Sequence, residues 1–290
     1  RGHFADAFIS VDSDGTYTLS VGTAEFGNGT TTVHGQLAAT ELNTSPDRIA
    51  IRQSDTDHPG HDTGAFGSAG VVVAGRAVQS ACRELRAAIV AEAARSAGVS
   101  PATCRLGPHG VECGSVLIEF GSLPESLVGT GRHDGTPRSV AFNVQAFRVA
   151  VDTETGEVRI LQSVQAADAG VVMNPQQCRG QVEGGVAQAI GSALYEEMQI
   201  GDDGVVLTRS LRDYHIPQLA DVPVTEVYFA DTYDELGPMG AKSMSESPYN
   251  PVAPALANAI ARACGARLRR LPMTPARVWK AMADSNSPRH

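Results

Sequence analysis

Asn174-Pro-Gln-Gln-Cys-Arg-Gly-Gln-Val-Glu-Gly-Gly-Val-Ala-Gln-Ala-Ile-Gly191 is the stretch that decides the fold of this chain. Its Asn-Pro start predicts the beginning of a helix, which the apolar pattern continues to about Glu197. The glycines at positions 180, 184, 185 and 191 would each destabilise an isolated helix by ~1 kcal/mol relative to alanine. We therefore expect this helix to approach another backbone, or a bound ligand, closely.

Strands flank this helix on both sides. Two strands, 142–152 and 158–168, are joined by the turn Thr153-Glu-Thr-Gly156 and predict a β-hairpin before it. A further strand, 224–229, and two short helices are predicted after it. In the first part, alternating segments around Asp14-Gly15 predict another hairpin, 4–11 and 16–21. Helices at 30–42 and 69–97 and a strand at 48–53 complete the pattern.

Strands and helices are mixed here without regular β-α-β repetition, which indicates the α+β class. Residues 104–138 carry a weaker pattern, with glycines and short strand-like runs. We interpret them as a variable connector, with a subdomain boundary as the alternative. We expect two mixed α/β subdomains, residues 1–139 and 140–290. The segment Gly129-Thr-Gly-Arg-His-Asp-Gly135 superficially matches a dinucleotide-binding loop, but no helix follows it, so it carries almost no cofactor signal.

Composition and charge exclude several functions. The 290 residues carry 23 Lys+Arg against 32 Asp+Glu, a net charge of −9, which disfavours nucleic acid as a partner. The longest apolar runs are too short to span a bilayer. Five scattered cysteines, without a C-x-x-C pair, argue against an iron–sulfur cluster and against a disulfide framework. We expect a reducing, cytoplasmic location. Because the chain begins at Arg1, we expect a processed chain or a piece of a longer one.

One carboxylate stands out in Gly240-Ala-Lys-Ser-Met-Ser-Glu246-Ser-Pro248. A carboxylate on a tight loop of small residues suits a general base aimed at a ligand that the backbone grips. Alternatively, Glu246 is an acidic residue in a loop leading into a helix, where it favours the positive N-terminus. The sequence 254–264, rich in small residues, predicts that helix. His58 and His61 lack a third and fourth ligand at suitable spacing, so a metal site there is disfavoured.

Four segments in order resemble the C-terminal molybdenum-cofactor-binding half of the large subunit of the xanthine oxidase/aldehyde oxidoreductase family. The resemblance runs from about Phe4 to Trp279. The carrying segments are Glu25-Phe-Gly-Asn-Gly-Thr30; Asp55-Thr-Asp57 with Gly64-Ala-Phe-Gly-Ser-Ala69 and Gly75-Arg-Ala-Val78; Asp168-Ala-Gly170 with Asn174-Pro175 and Gly180-Gln-Val-Glu-Gly-Gly185; and Gly240-Ala-Lys-Ser-Met-Ser-Glu246.

The resemblance implies roles for particular residues. Glu246 would be the general base that takes a proton from a molybdenum-bound hydroxide. We also expect glycine amides to approach the cofactor's phosphates, with the helix that starts at Thr30 facing that charge. No metal ligand is expected from the protein. The implied cofactor-binding residues are Gly27, Asn28, Gly29, Thr30, Phe66, Gly67, Ser68, Ala69, Gln181, Lys242, Ser243, Met244 and Ser245.

Four positions depart from the family pattern. Asn28 replaces the usual glutamine and Ala69 stands where many members have arginine. Ser243 and Ser245 replace the two glycines before the base, and their added β-carbons could reshape the turn.

The resemblance also implies partners. The expected cofactor is molybdenum-molybdopterin in its cytosine dinucleotide form, bound in a cleft of which this chain forms half. A partner chain would carry the N-terminal half of the molybdenum subunit, with 2Fe-2S clusters and FAD in an iron–sulfur and a flavin subunit. The implied reaction is the oxidation of an aldehyde or N-heterocycle carbon with water-derived oxygen. The alternative is a non-catalytic relative that acts as an assembly or partner-binding subunit.

Overall fold

A computed structural model describes residues 2–58, 60–68 and 70–286, and it divides the chain into two compact units. The first unit contains the residues up to Val140 together with Ala169–Gln177 and Asp231–Ser243. The second contains Ala141–Asp168, Cys178–Ala230 and the residues from Met244 onward. Two short segments of the later sequence therefore pack in the first unit.

The first unit is built on a mixed four-stranded sheet. Strands β1 (Ala5–Val11) and β2 (Tyr17–Val21) pair antiparallel, which confirms the predicted hairpin. Every second residue of β1 is buried, as the alternation of apolar and polar residues requires. Helix α1 (Thr30–Glu41) then connects β2 to β3 (Ile49–Gln53), which pairs parallel with β2. Helix α2 (Gly75–Ala97) supplies much of the core that covers this sheet.

The segment that we interpreted as a variable connector contains four strands. Strands β4 (Cys104–Gly107), β5 (Gly110–Cys113) and β6 (Val116–Glu119) form a small antiparallel sheet. Strand β7 (Val128–His133) pairs with β1, so the order of the main sheet is β3-β2-β1-β7. The short strand-like runs noted in this segment are therefore strands. Only the connector interpretation was wrong, because strands this short and interrupted by glycines leave little periodicity to detect.

The structure also contains a disulfide that the sequence did not predict. Cys104 and Cys113 lie directly opposite each other on β4 and β5 and are bonded, with their Cα atoms 4.2 Å apart. The expectation of no disulfide framework rested on the odd number and wide spacing of the five cysteines. Strand pairing brings such cysteines together, and their spacing alone does not reveal it.

The dinucleotide-like segment is part of β7 and packs on α2. A Cβ added to Gly131 would lie 2.0 Å from the Ala77 carbonyl oxygen, and one added to Gly129 would lie 2.1 Å from that of Ala81. These glycines therefore serve close packing between strand and helix.

The second unit is built on a three-stranded sheet in the order β10-β9-β8. Strands β8 (Asn143–Val151) and β9 (Val158–Ala167) form the predicted antiparallel hairpin. Helix α3 (Pro175–Leu194) begins in the first unit and continues into the second, where it precedes β10 (Thr225–Phe229), which runs parallel to β9. Helix α4 (Val252–Cys264) packs on β8, and helix α5 (Pro275–Asn286) ends the described chain.

The elements agree with the α+β class, although each unit also contains one β-α-β crossover. In the part of the chain that is described, no helix is both long and apolar enough to cross a membrane.

Candidate functional site

Glu246 lies in a run of turns that leads directly into α4. The Ser247 amide donates to the Met244 carbonyl at 2.9 Å, and the Tyr249 amide donates to the Glu246 carbonyl at 3.2 Å. Helix α4 follows at Val252. Glu246 is exposed, so its carboxylate is accessible to a reacting molecule.

Residues of α3 and β9 hold this turn within the second unit. The fully buried amide of Gln165 on β9 donates to the Pro248 carbonyl at 2.9 Å. On α3, a Cβ added to Gly185 would lie 3.2 Å from that of Pro248, so glycine lets the turn approach the helix. The Met244 sulfur lies 4.0 Å from that of Cys178, also on α3. Gln165 thus fixes the turn, a role that sequence reasoning missed because no motif includes it.

The first part of the same motif is fixed in the first unit by backbone pairing. The Val171 amide donates to the Gly240 carbonyl at 2.9 Å, and the Lys242 amide donates to the Ala169 carbonyl at 2.8 Å. A Cβ added to Gly170 would lie 2.2 Å from the Gly240 oxygen. Two segments that the resemblance singled out, Asp168-Ala-Gly170 and Gly240-Ala-Lys242, therefore pair with each other.

The serines that replace family glycines are compatible with this backbone. Within 239–246, a left-handed φ occurs at Met239 (52°) and Gly240 (91°), not at Ser243 or Ser245. The added β-carbons therefore meet no forbidden conformation.

The glycine loop before α1 is organised by the carboxylate of Glu25. Its Oε1 accepts the amides of Gly27 (2.7 Å) and Gly29 (3.1 Å), and its Oε2 accepts the Thr31 amide (3.0 Å). Burial raises the pKa of Glu25, but these three N–H donors outweigh it and lower the pKa to about 2. The Thr30 amide donates to Asn28 Oδ1 at 3.4 Å. These amides donate within the chain, and the expectation that they face the phosphates of a cofactor stays a prediction.

Gln177 is a second residue that sequence reasoning missed, although it lies only two positions after the Asn-Pro signal. Its Nε2 donates to the Thr32 hydroxyl at 3.1 Å, beside the start of α1. A Cβ added to Gly29, whose φ is 80°, would lie 2.7 Å from Gln177 Oε1. That oxygen is buried and has no hydrogen-bond partner within the described chain. Glycine is thus favoured at position 29 by its conformation, whereas the contact with Gln177 involves the end of a flexible side chain that can shift.

The second glycine loop lies beside the first. A Cβ added to Gly70 would lie 3.2 Å from Thr30 Cγ2. Phe66–Ser68 form a short turn in which Gly67 (66°) and Ser68 (59°) both have a left-handed φ. The guanidinium of Arg138, an exposed residue, lies 3.4 Å from the position that a Gly67 Cβ would take. Ala69 lies outside the described residues.

The predicted site residues thus fall in both units. The first unit holds Gly27–Thr30, Phe66–Ser68, Lys242 and Ser243; the second holds Gln181, Met244, Ser245 and Glu246. Gln181 is half-buried on α3.

Within the described residues, no group of three or more His, Cys, Asp or Glu side chains is placed to hold a metal ion. His61 stacks on Phe4, with ring centroids 4.4 Å apart.

The chain's own residues fit a cofactor with phosphates and a polar ring system. The observations that fit are the Arg138 cation beside Gly67, the buried and unpartnered Gln177 oxygen, and the glycine turn next to it.

Comparison with known proteins gives consistent matches. The family model for the molybdopterin cofactor-binding domain matches residues 1–223. Probable hypoxanthine oxidase XdhD of Escherichia coli (strain K12) is 35% identical over 289 residues, covering 96% of this chain and 30% of that protein. The putative xanthine dehydrogenase molybdenum-binding subunit XdhA of the same strain is 31% identical over 296 residues, covering 95% and 39%.

Among solved structures, quinoline 2-oxidoreductase from Pseudomonas putida 86 matches with a TM-score of 0.89 and 25% identity, covering 98% of this chain and 38% of that chain. The chain therefore spans between 30% and 39% of the length of these three proteins.

Proposed function

Since this chain belongs to the molybdopterin cofactor-binding domain family, as a molybdopterin-binding portion of the xanthine oxidase family, we propose that it helps to bind a molybdenum cofactor and supplies the general base, Glu246. The observation that carries this proposal is the exposed Glu246 on a turn that Gln165 holds by a hydrogen bond and that packs close to Gly185. A base must keep its position while remaining accessible, and this turn meets both requirements.

The cofactor, when bound, supplies the redox chemistry that oxidises a carbon of an aldehyde or an N-heterocycle. Glu246 then accepts on its carboxylate the proton that the water-derived nucleophile loses. Lys242 and Ser243 in the first unit, and Gln181, Met244 and Ser245 in the second, are proposed to contact the cofactor. Asn28 is proposed to contact it through its side-chain amide.

We further propose that a partner chain supplies the remaining portion of the molybdenum-binding subunit. The relative XdhA extends well beyond the 39% that this chain matches. The outer face of the β10-β9-β8 sheet supports this idea, because apolar residues lie exposed across all three strands. Val144 (67% exposed), Ala166 and Tyr228 (59%) are neighbours in the strand register. Phe142, 75% exposed, lies immediately before β8. Exposed apolar patches of this kind mark interaction sites.

The remaining proposals rest on the family resemblance. They are the cytosine dinucleotide form of the cofactor, 2Fe-2S clusters and FAD in partner subunits, and a small-molecule substrate. A cytoplasmic location rests on the free cysteines Cys82, Cys178 and Cys264. Detection of the Cys104–Cys113 disulfide in protein taken directly from cells would count against that location.

Molybdenum and pterin analysis of the protein purified with its natural partners tests the main proposal. We expect both in proportion to protein. Their absence would refute cofactor binding and favour the non-catalytic assembly role. Glu246→Gln should retain both but lose about 10²–10⁴-fold in turnover, the usual contribution of a general base. An active Glu246→Gln enzyme would place the base elsewhere.

The partner surface is tested separately by Val144→Lys, with Val116→Lys as the matched control. Val116 is a comparably exposed strand valine (50%) in the first unit. Only Val144→Lys should reduce the recovery of the partner chain. Equal recovery with both variants would contradict the surface assignment.

A further inference from the structure

The two glycine loops of the first unit lie beside each other but differ in charge. The loop at 27–30 carries the Glu25 carboxylate, whereas the loop at 66–68 lies beside the Arg138 guanidinium. A phosphate carries negative charge and needs N–H donors or cations. The two loops therefore cannot be equivalent toward it.

At the first loop three of the four donors are already used. Of the four amides at the start of α1, those of Gly29 and Thr31 donate to Glu25, and that of Thr30 donates to Asn28. A helix N-terminus attracts anions through such amides and through its dipole. Here a carboxylate of the chain itself occupies that position, so a phosphate would meet a negative charge there.

The second loop lies beside a positive charge instead of a carboxylate. Arg138 places a permanent positive charge, with several N–H donors in a planar fork, next to Gly67. Gly67 itself presents no side chain, so a ligand can come close to the backbone there. Exposure of Arg138 leaves its guanidinium accessible from solvent.

We infer that Arg138, together with the turn at Gly67 and Ser68, binds the phosphates of the cofactor, and that Glu25 is a positioning residue that keeps them away from the N-terminus of α1. This inference rests on the proposed cofactor-binding function. It assigns the phosphates to the loop at 66–68 and leaves the loop at 27–30 to contact an uncharged part of the cofactor.

Binding of inorganic pyrophosphate to the full protein, prepared without cofactor, tests the inference. It is measured by isothermal titration at constant ionic strength set with chloride. We expect one site per chain in the wild type, about tenfold weaker binding for Arg138→Gln, and near wild-type binding for Arg138→Lys, which keeps the charge. The matched control is Arg105→Gln, an exposed strand arginine in the same unit. It should bind as the wild type does.

Glu25→Ala tests the second half of the inference. Removing the carboxylate frees the α1 amides, so we expect a second pyrophosphate per chain. The control Asp152→Ala also removes a carboxylate that accepts two backbone amides, in the β8–β9 turn, and should leave the stoichiometry at one. Glu25→Ser keeps one acceptor and serves if the alanine variant does not fold.

The outcomes separate clearly. Unchanged affinity in Arg138→Gln, or no pyrophosphate binding in the wild type, overturns the role of Arg138. An unchanged stoichiometry in folded Glu25→Ala or Glu25→Ser overturns the role of Glu25. Failure of the proposed function itself is seen in another experiment, as absent molybdenum and pterin in the native complex, so the two failures are distinguishable.

Discussion

Gly131→Ala should strongly destabilise the first unit, although it adds a single methyl group. The new Cβ would lie 2.0 Å from the Ala77 carbonyl oxygen and 2.6 Å from the Ala81 amide nitrogen, both in the backbone of α2. Ordinary contact begins near 3.4 Å, so β7 must withdraw from α2 by about 1.4 Å. Neither neighbour is a flexible side chain that could rotate away.

The expected cost follows from this displacement. Overpacking a well-packed interior costs about 1–3 kcal/mol, and two backbone neighbours place this variant at about 3 kcal/mol. For a cooperative unit of this size, that corresponds to a fall in Tm of about 6–12 °C. Thermal unfolding followed by circular dichroism measures it, with Val128→Ala as the control because Val128 is an exposed residue of the same strand. The control should stay within about 0.5 kcal/mol of the wild type.

One result would refute the packing argument: a Gly131→Ala protein with wild-type Tm and a reduced pterin content. That combination would mean that Gly131 serves a ligand instead of the packing of β7 on α2.

Three further predictions concern the glycine segments and Glu25. Gly29→Ala should lower the free energy of unfolding, measured with denaturant, by about 1–3 kcal/mol. Alanine is strained at a φ of 80°, and its Cβ would contact the Gln177 side chain. An unchanged free energy of unfolding would mean that the loop relaxes freely. Gly184→Ala should raise the free energy of unfolding of the chain without its partner by up to about 1 kcal/mol, because nothing lies within 4 Å of the position that the added Cβ would take. If α3 faces the cofactor or a partner, the same substitution should weaken that binding. Unchanged binding would contradict this placement of α3. Glu25 should stabilise the fold above pH 4.5 and lose this contribution as the pH falls toward about 2, because its pKa is lowered in the folded protein. Glu25→Gln should therefore make the free energy of unfolding depend less on pH in the acid range. An unchanged acid-unfolding profile would contradict this role of the carboxylate.

The sequence predicts those elements whose information is local. The β1–β2 and β8–β9 hairpins follow from alternation around a turn, and α1 follows from helical spacing. Strand β7 was not predicted as a strand with defined bounds, because its glycines are required by the contact with α2 and have low strand propensity. The Cys104–Cys113 disulfide was not predicted for a related reason, since it depends on which strands pair.

The candidate site shows the same division between local and tertiary information. Motif order brought out Glu246 and the glycine loops, but the side chains that hold them belong to no motif. Gln165 reaches Pro248 across 83 positions, and Gln177 reaches Thr32 across 145. Such partners are set by tertiary packing, so periodicity and spacing cannot identify them.

The amides of the first glycine loop illustrate a different limit. Glycines before a helix predict free N–H donors, and the sequence argument assigned these donors to phosphates. The number of donors does not show which acceptor lies nearest to them. Glu25 is four residues from Gly29, well within reach, and an acceptor already tethered to the loop competes at a far higher effective concentration than a dissolved ligand. A carboxylate shortly before a glycine loop should therefore lower the expectation of phosphate binding at that loop and shift it to a neighbour that carries a cation, as Arg138 does beside Gly67.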